Sequence, residues 1–322
     1  MYRPELATRI CAINEDQVRK YLEPRKLIQA LEVAFGRDFR NTVSAPPRMR
    51  LDLPSGAVFF TMPCHDAAIP AFGVKLVSIG ESVNGGDRVQ ADYVLFNPAT
   101  RRIAATIAAN YLTDIRTAAI SAIATKLLAR DELTTLGIYG TGRQALAHIL
   151  VFSAILPFTT ILCCGTQEQK TRAFASRVGE EHAIEVQATT AEECATRSDV
   201  LCTCTTSVRP LFKGSLLRPG THLNLVGTFQ RDATEVDSET VRRARVVVDT
   251  YEGAFSEAGD ILMPIAQGII RKEHVTADLH ELLSGEKPGR QNSEEITLFK
   301  SVGHAYEDLI AANLVYERAA ER

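Results

Sequence analysis

The sequence predicts an α/β protein with a doubly wound parallel sheet domain and a second, α+β domain, on three observations. First, an apolar run, Leu136–Tyr139, ends in Gly140-Thr141-Gly142-Arg143-Gln144-Ala145 and opens at once into a helical pattern. In that order the first glycine allows a tight turn and the second lets backbone approach a phosphate. The small third residue lets the helix pack closely on the strand, so its N-terminal N–H groups face the anion. Second, from Leu133 to about Glu286 short apolar runs alternate with helical patterns, as in a parallel sheet with crossover helices. Third, the first ~115 residues show a helix followed by alternating apolar segments, the pattern of a mostly antiparallel unit.

Taken in order, Lys26–Phe39 reads as a helix, and Ala57–Met62, Phe72–Val77 and Tyr93–Phe96 as strands. An alanine-rich helix over Ile115–Ala129 leads into the nucleotide-binding part. There, Leu136–Tyr139, Thr160–Cys164, Ile184–Gln187, Val200–Thr203, His222–Val226 and Val246–Asp249 give about six strands. Gln144–Ala154, Gln169–Val178, Ala191–Thr196 and the short Asp237–Ala244 are the helices between them. Thr297–Ala320 reads as a further helix, with apolar Val302, Ala305, Leu309 and Ala312, that returns to the first domain. Residues 1–115 with 297–322 therefore form one domain and 116–296 the other. Gly285–Ser293, with Pro288 and Gly289, is the expected flexible connection.

Composition narrows the function. The 322 residues are 45% hydrophobic and 23% charged, with a formal net charge of −3, so no broad basic field awaits nucleic acid. No apolar run approaches the ~20 residues of a membrane span, and Met1-Tyr2-Arg3-Pro4-Glu5 lacks the apolar core of a signal peptide. A cytoplasmic protein without membrane partners is expected. The cysteines number seven, and Cys163, Cys164, Cys202 and Cys204 lie in strand-like runs rather than at zinc spacings. They read as small core residues, and no metal site is expected.

At Arg116-Thr117-Ala118-Ala119, preceded by Leu112-Thr113 and followed by Ser121-Ala122 and Leu127-Leu128-Ala129, the sequence resembles the ornithine cyclodeaminase/mu-crystallin family. Within the family it is similar to the ketimine and pyrroline-2-carboxylate reductases. Further motifs follow in family order: Gly73-Val74-Lys75, the Gly140–Ala145 turn, Asp199–Pro210, Pro219–Gly227, Glu235-Val236-Asp237, Glu257–Asp260 and Phe299–Asp308. The resemblance implies a Rossmann domain joined to a substrate and dimerisation domain built from the N-terminal part and the C-terminal helix. A homodimer is expected from it.

The resemblance also implies that Arg48, Lys75 and Arg116 hold a substrate carboxylate, with Lys75 at the catalytic centre. A guanidinium fork with a point-charge ammonium suits that task and fixes the neighbouring carbon for reaction. The cyclodeaminases carry an aspartate two residues after the glycine that Gly227 matches; this chain has Phe229. Without a base there it is poorly equipped to activate a nitrogen nucleophile and expel ammonia, and Phe229 is expected to border the substrate. Ketimine-reducing relatives resemble it in lacking that aspartate. Further departures are a short glycine-rich loop over Ser78–Arg88, Val89 before Gln90 where many relatives have histidine, and Arg231 in place of a proline. Asp92 is nominated as proton donor, against its plainer reading as a solvated strand-edge carboxylate.

An NAD-preferring domain usually ends its second strand in an acid, but here that strand ends Cys163-Cys164-Gly165-Thr166. Thr166, Arg143 and Lys170 or Arg172 would suit a 2′-phosphate, so NADP is favoured and NAD allowed. Gly140, Thr141, Gly142, Arg143 and Gln144 are expected to cradle the pyrophosphate, and Thr117 joins the cofactor set by resemblance. So do Thr205, Thr206, Val226 and Gly227, which would border the nicotinamide. The expected activity is NAD(P)H-dependent reduction of a small cyclic α-imino acid, pyrroline-2-carboxylate or piperideine-2-carboxylate, to proline or pipecolate. The alternatives are ornithine cyclodeamination, an alanine dehydrogenase-like oxidation, and a non-catalytic nucleotide-binding, crystallin-like role.

Overall fold

The computed structural model describes residues 10–81 and 88–321; the middle of the Ser78–Arg88 loop and the Met1–Glu5 start lie outside them. In chain order the elements begin with β1 (Cys11–Ile13), α1 (Glu15–Tyr21), α2 (Pro24–Gly36), α3 (Phe39–Thr42), β2 (Val43–Ser44), β3 (Met49–Asp52) and β4 (Val58–Asp66). Next come β5 (Phe72–Ile79), β6 (Val89–Phe96), β7 (Ile103–Ala108), α4 (Asn110–Leu128), β8 (Thr135–Tyr139), α5 (Arg143–Ile155), β9 (Thr160–Cys164) and α6 (Glu168–His182). Then follow β10 (Gln187–Ala188), α7 (Ala191–Arg197), β11 (Val200–Thr203), β12 (His222–Leu225), α8 (Ser238–Arg243), β13 (Ala244–Val248) and α9 (Tyr251–Glu257). The chain closes with α10 (Gly259–Ala266), β14 (Val275–Asp278), α11 (Leu279–Leu283), β15 (Ile296–Lys300) and α12 (Ala305–Ala320). Two compact units result, Met1–Arg116 with His304–Arg322, and Thr117–Gly303. Among the described residues no helix is long and apolar enough to cross a membrane.

The first unit is a seven-stranded sheet in the order β1-β7-β6-β5-β4-β2, with β3 also paired to β4. Apart from the parallel β1–β7 pair, its ladders are antiparallel, as the alternating pattern predicts. Side chains alternate between faces with a period of two. On one face Phe60, Met62, Cys64, Lys75, Val77, Ala91, Tyr93 and Leu95 are buried, and α12 packs on β4, β5 and β6. Helix α2 starts with Pro24 at its first position, where a missing N–H does no harm. It buries Leu27, Ile28, Leu31, Ala34 and Phe35, and packs on α12. The predicted helix Lys26–Phe39 is interrupted after Gly36, because Arg37 is extended (φ −86°, ψ 170°), and Phe39–Thr42 forms a separate turn.

The second unit is an eight-stranded sheet in the order β10-β9-β8-β11-β12-β15-β13-β14, parallel throughout. The strand order runs outward in both directions from the β8–β11 pair, so the sheet reverses there and opens a crevice at the carboxyl ends. In this unit β14 and β15 are not among the strands that the sequence pattern predicts. β15 lies centrally, between β12 and β13, in the stretch read as the start of the tail helix, and α12 begins only at Ala305. All five residues of β15 are buried. A strand covered on both faces has no alternation, and a short apolar run cannot be told from helix by period alone. Residues 297–300, expected in the first domain, thus pair in this sheet.

The Gly285–Ser293 connection is pinned rather than loose. Arg290 donates from Nε to the Leu128 carbonyl at 2.7 Å and from Nη2 to the Gly220 carbonyl at 3.0 Å. It thereby satisfies a carbonyl at the C-terminus of α4. A Cβ on Gly289 would stand 2.4 Å from the Leu127 carbonyl oxygen, so only glycine fits this approach.

Candidate functional site

The nucleotide turn sits at the strand reversal of the second unit. Strand β8 is almost wholly buried and ends at Gly140, whose φ of +115° lies outside the reach of ordinary side chains. A Cβ there would also stand 2.4 Å from the Cys204 carbonyl oxygen. Gly140 N–H donates to the Cys164 carbonyl at 2.8 Å, tying the turn to the end of β9. Gly142 is the N-cap of α5 and supplies no capping side chain. A Cβ on it would meet nothing within 4 Å, so open space lies over the first turn of a thirteen-residue helix. Ala145 is fully buried against the sheet. This cradle fits the pyrophosphate of a dinucleotide, which takes N–H donors and the positive end of the helix dipole.

Helix α5 is held from beneath. His148 Nδ1 lies 2.8 Å from the Gln144 carbonyl and Nε2 3.0 Å from Ser121 Oγ. Burial pushes its pKa down to about 4, so the ring is neutral and donates from Nδ1 to the carbonyl. At the end of β9, Thr166 and Lys170 are exposed, while Arg172 is bonded at 2.5 Å to Glu168 in the first turn of α6. One of the cations expected for a 2′-phosphate therefore already faces an acid. Arg143 and Gln144 open α5, and Thr141 packs against Gly165, whose added Cβ would stand 3.1 Å from Thr141 Cγ2.

Thr205 and Thr206 follow β11, and Val226, Gly227 and Phe229 follow β12, at the carboxyl ends of neighbouring strands. A Cβ on Gly227 would fall 2.2 Å from the Thr205 carbonyl oxygen, so the two loops touch because this residue is glycine. Phe229 is half-buried in its loop, and Thr117 is half-buried in α4.

The cations belong to the first unit. Lys75, in the middle of β5, pairs across the sheet with Met62 and Tyr93 and is 1% exposed. Its Nζ lies 2.7 Å from Asp308 Oδ2 and donates to Oδ1 at 2.8 Å. Arg116 donates from Nη1 to Glu307 Oε2 at 2.5 Å, and its Nε lies 2.9 Å from Asp308 Oδ1. Glu307 also accepts from the His304 N–H at 3.0 Å, closing the capping box of α12. Two buried cations thus meet two buried carboxylates from the first turn of one helix, and their charges balance. Burial, with Arg116 close by, lowers the Lys75 pKa to about 8 against the opposing pull of Asp308. Burial also works against the charge on Arg116, but Asp308 and Glu307 more than offset it and raise its pKa.

Arg48 is half-buried, its guanidinium 5.2 Å from the centre of the Phe60 ring, on the face that carries Lys75. Asp92 is not brought to these cations. It pairs with Leu76, one residue out of step with the Lys75–Tyr93 pair, so it lies on the other face and is exposed. Glu307 and Asp308 fall in a family motif but carry no expected role; two acids inside an apolar helix pattern are the signal the sequence offers for them. Tyr93 gave no such signal; its hydroxyl is buried on the Lys75 face with no hydrogen-bond partner among the described residues. No group of three or more His, Cys, Asp or Glu among the described residues is placed to hold a metal ion.

A parallel sheet with a bare glycine turn at its reversal, in a chain that also buries Lys75 and Arg116 against Glu307 and Asp308, defines a dinucleotide-binding α/β protein. The chain belongs to the ornithine cyclodeaminase/mu-crystallin family, whose family model matches residues 12–322. It is 36% identical over 270 residues, 81% of each chain, to the Δ1-pyrroline-2-carboxylate reductase of Bacillus cereus. Its structure is similar to that of Thermococcus litoralis Δ1-pyrroline-2-carboxylate reductase in complex with NADH and L-proline, with a TM-score of 0.93 and 35% identity over 97% of this chain and 98% of that one. An archaeal alanine dehydrogenase dimer with bound NAD gives a TM-score of 0.89 and 30% identity over 97% and 96%. The resemblance read from the motifs is borne out.

Proposed function

We propose that this protein is an NAD(P)H-dependent reductase of small cyclic α-imino acids, converting pyrroline-2-carboxylate or piperideine-2-carboxylate to proline or pipecolate. The observation that carries the reading is the buried ion set of Lys75, Arg116, Glu307 and Asp308. Ion pairs taken fully out of water rarely stabilise a fold more than apolar residues of the same shape would, so a set this dry is kept for binding. Lys75, Arg116 and half-buried Arg48 grip the carboxylate of the imino acid.

The N-terminus of α5 holds the pyrophosphate over Gly140 and Gly142. A bound reduced nicotinamide, NADPH or NADH, supplies hydride to the C=N carbon, and the nitrogen takes a proton to complete the amine. Phe229 presents an apolar ring where cyclodeaminases place a carboxylate, so no base stands there to activate water or an amine. Lys75, with its lowered pKa, carries a mobile proton at Nζ within the cluster. Thr117–Gly303 serves as the nucleotide-binding unit and the first unit as the substrate unit.

The protein is a homodimer in this reading. The sheet face away from α12 carries half-buried Phe72, Val74, Leu76, Val94 and Phe96, with Met49 and Leu51 64% and 55% exposed at its margin. Phe72 and Phe96 stack there at 5.0 Å. An apolar patch of this kind on a folded chain marks an interaction surface, and the alanine dehydrogenase similar to this chain is a dimer. All seven cysteines are free, which suits a cytoplasmic protein.

Incubating the purified protein with pyrroline-2-carboxylate and NADH or NADPH tests the reading. Consumption of the reduced nicotinamide with formation of proline is expected. No oxidation of either with any cyclic ketimine overturns it, and ammonia release from ornithine with catalytic NAD would put cyclodeamination in its place.

A further inference from the structure

The loops after β11 and β12 are joined by one buried carboxylate. Glu235 is fully buried, and each of its oxygens takes one backbone N–H and one threonine hydroxyl. Oε1 accepts from Thr205 N at 3.0 Å and Thr205 Oγ1 at 2.6 Å. Oε2 accepts from Gly227 N at 2.8 Å and Thr203 Oγ1 at 2.7 Å. The glycine is required here as well, since a Cβ on Gly227 would lie 2.3 Å from Glu235 Oε1.

Glu235 is itself anchored from behind. Its own N–H donates to Asp260 Oδ1 at 2.7 Å, which also accepts from Thr234 Oγ1 at 2.8 Å. The other Asp260 oxygen lies 2.8 Å from Lys300 Nζ, both side chains fully buried. Lys300 ends β15, the neighbour of β12, and donates to the Thr228 carbonyl at 2.6 Å. Three strand ends and the loop through Phe229 are therefore cross-linked by three charged side chains. Networks of this kind hold a unique geometry only while every member is satisfied.

We infer that Glu235 is a positioning residue for the nicotinamide ring, fixing Thr205–Thr206 and Gly227–Phe229 as one rigid wall. This rests on the reading that those loops border the ring. A carboxylate is needed because all four groups facing it donate. An amide in its place can satisfy a threonine hydroxyl, which turns to accept, but whichever oxygen becomes NH₂ leaves one backbone N–H, of Thr205 or Gly227, without an acceptor. Among the described residues no hydrogen bond joins Glu235 directly to the cradle at Gly140–Gly142.

The test compares binding of NADH with that of ADP-ribose, which lacks the nicotinamide, to wild type and Glu235→Gln by calorimetry. If wild type takes only the phosphorylated form, NADPH and 2′-phospho-ADP-ribose replace them. In Glu235→Gln the dinucleotide should bind about tenfold more weakly, the loss of one charge-assisted hydrogen bond, with ADP-ribose affinity unchanged. Thr203→Val, which removes a single donor to the same carboxylate, should show the same split at about two- to threefold, and it decides the matter if Glu235→Gln does not fold. Equal weakening of both ligands, or of neither, overturns the inference while leaving the reductase reading intact. A wild type that binds neither dinucleotide overturns that reading, and this inference with it.

Discussion

The Lys75 ammonium lies 2.7 Å from the Asp308 carboxylate, and both side chains are buried. Asp308 also meets Arg116, so one carboxylate faces the two deepest cations of the cluster. The charged groups that act most strongly on Lys75 are Arg116 from α4 and Glu307 and Asp308 from α12, and of these only the acids favour its proton.

That balance predicts a pH dependence. Burial lowers the Lys75 pKa from its ordinary 10.5 to about 8, and only the protonated ammonium grips a carboxylate. The KM for the imino acid should therefore rise as pH passes about 8. In Asp308→Asn the anion that supports the proton is gone, so the rise should begin at lower pH. The unfolded chain keeps this proton longer, so the group's contribution to stability should grow as pH rises from about 8 to 10.5. An unshifted pH profile in the variant would separate Asp308 from Lys75 function.

Lys75 and Arg116 should differ in what their loss does. Arg116→Ala removes the cation that both Glu307 and Asp308 face and leaves Lys75 against Asp308 alone; breaking a buried pair in this way costs about 3–5 kcal/mol, visible as a large fall in Tm. Lys75→Met leaves Asp308 paired to Arg116 and adds an apolar side chain of similar length. It should fold well and lose affinity for the imino acid about tenfold or more, the worth of one charged contact. Equal melting of both variants would contradict this ordering.

The two glycines of the turn should also separate. Gly140→Ala meets a positive φ and a carbonyl oxygen at 2.4 Å, so the fold itself should lose about 1–3 kcal/mol. Gly142→Ala meets no atom within 4 Å, so the melting temperature should hold while the methyl group occupies phosphate space and weakens dinucleotide binding. Thermal melts with and without NADH or NADPH read both effects.

A charge on the open sheet face should divide the dimer. Val74 lies beside Lys75 in sequence but on the opposite face, paired with Val94 and Pro63. Val74→Asp should shift the protein from dimer to monomer in light scattering. A wild type that is already monomeric would remove the dimer from the proposal.

Much of this protein was legible locally. The Gly140–Ala145 turn, the alternation of β4, β5 and β6, and most helix positions follow from turn chemistry and side-chain period, which depend on near neighbours along the chain. The motifs around Lys75 and Arg116 identified the family for the same reason, since short ordered segments carry it. What remained depended on residues far apart. Lys75 and Asp308 are separated by 233 positions, and Arg116 and Glu307 by 191, so no pattern in either neighbourhood announces the other. The face on which Asp92 falls was set by cross-strand register, and the insertion of β15 between β12 and β13 by the packing of a sheet covered on both sides. The sequence by itself determined the classes of element and the residue types of the chemistry. Only the tertiary structure decided which charges neutralise one another, because a buried charge takes its partner from whatever the fold packs against it.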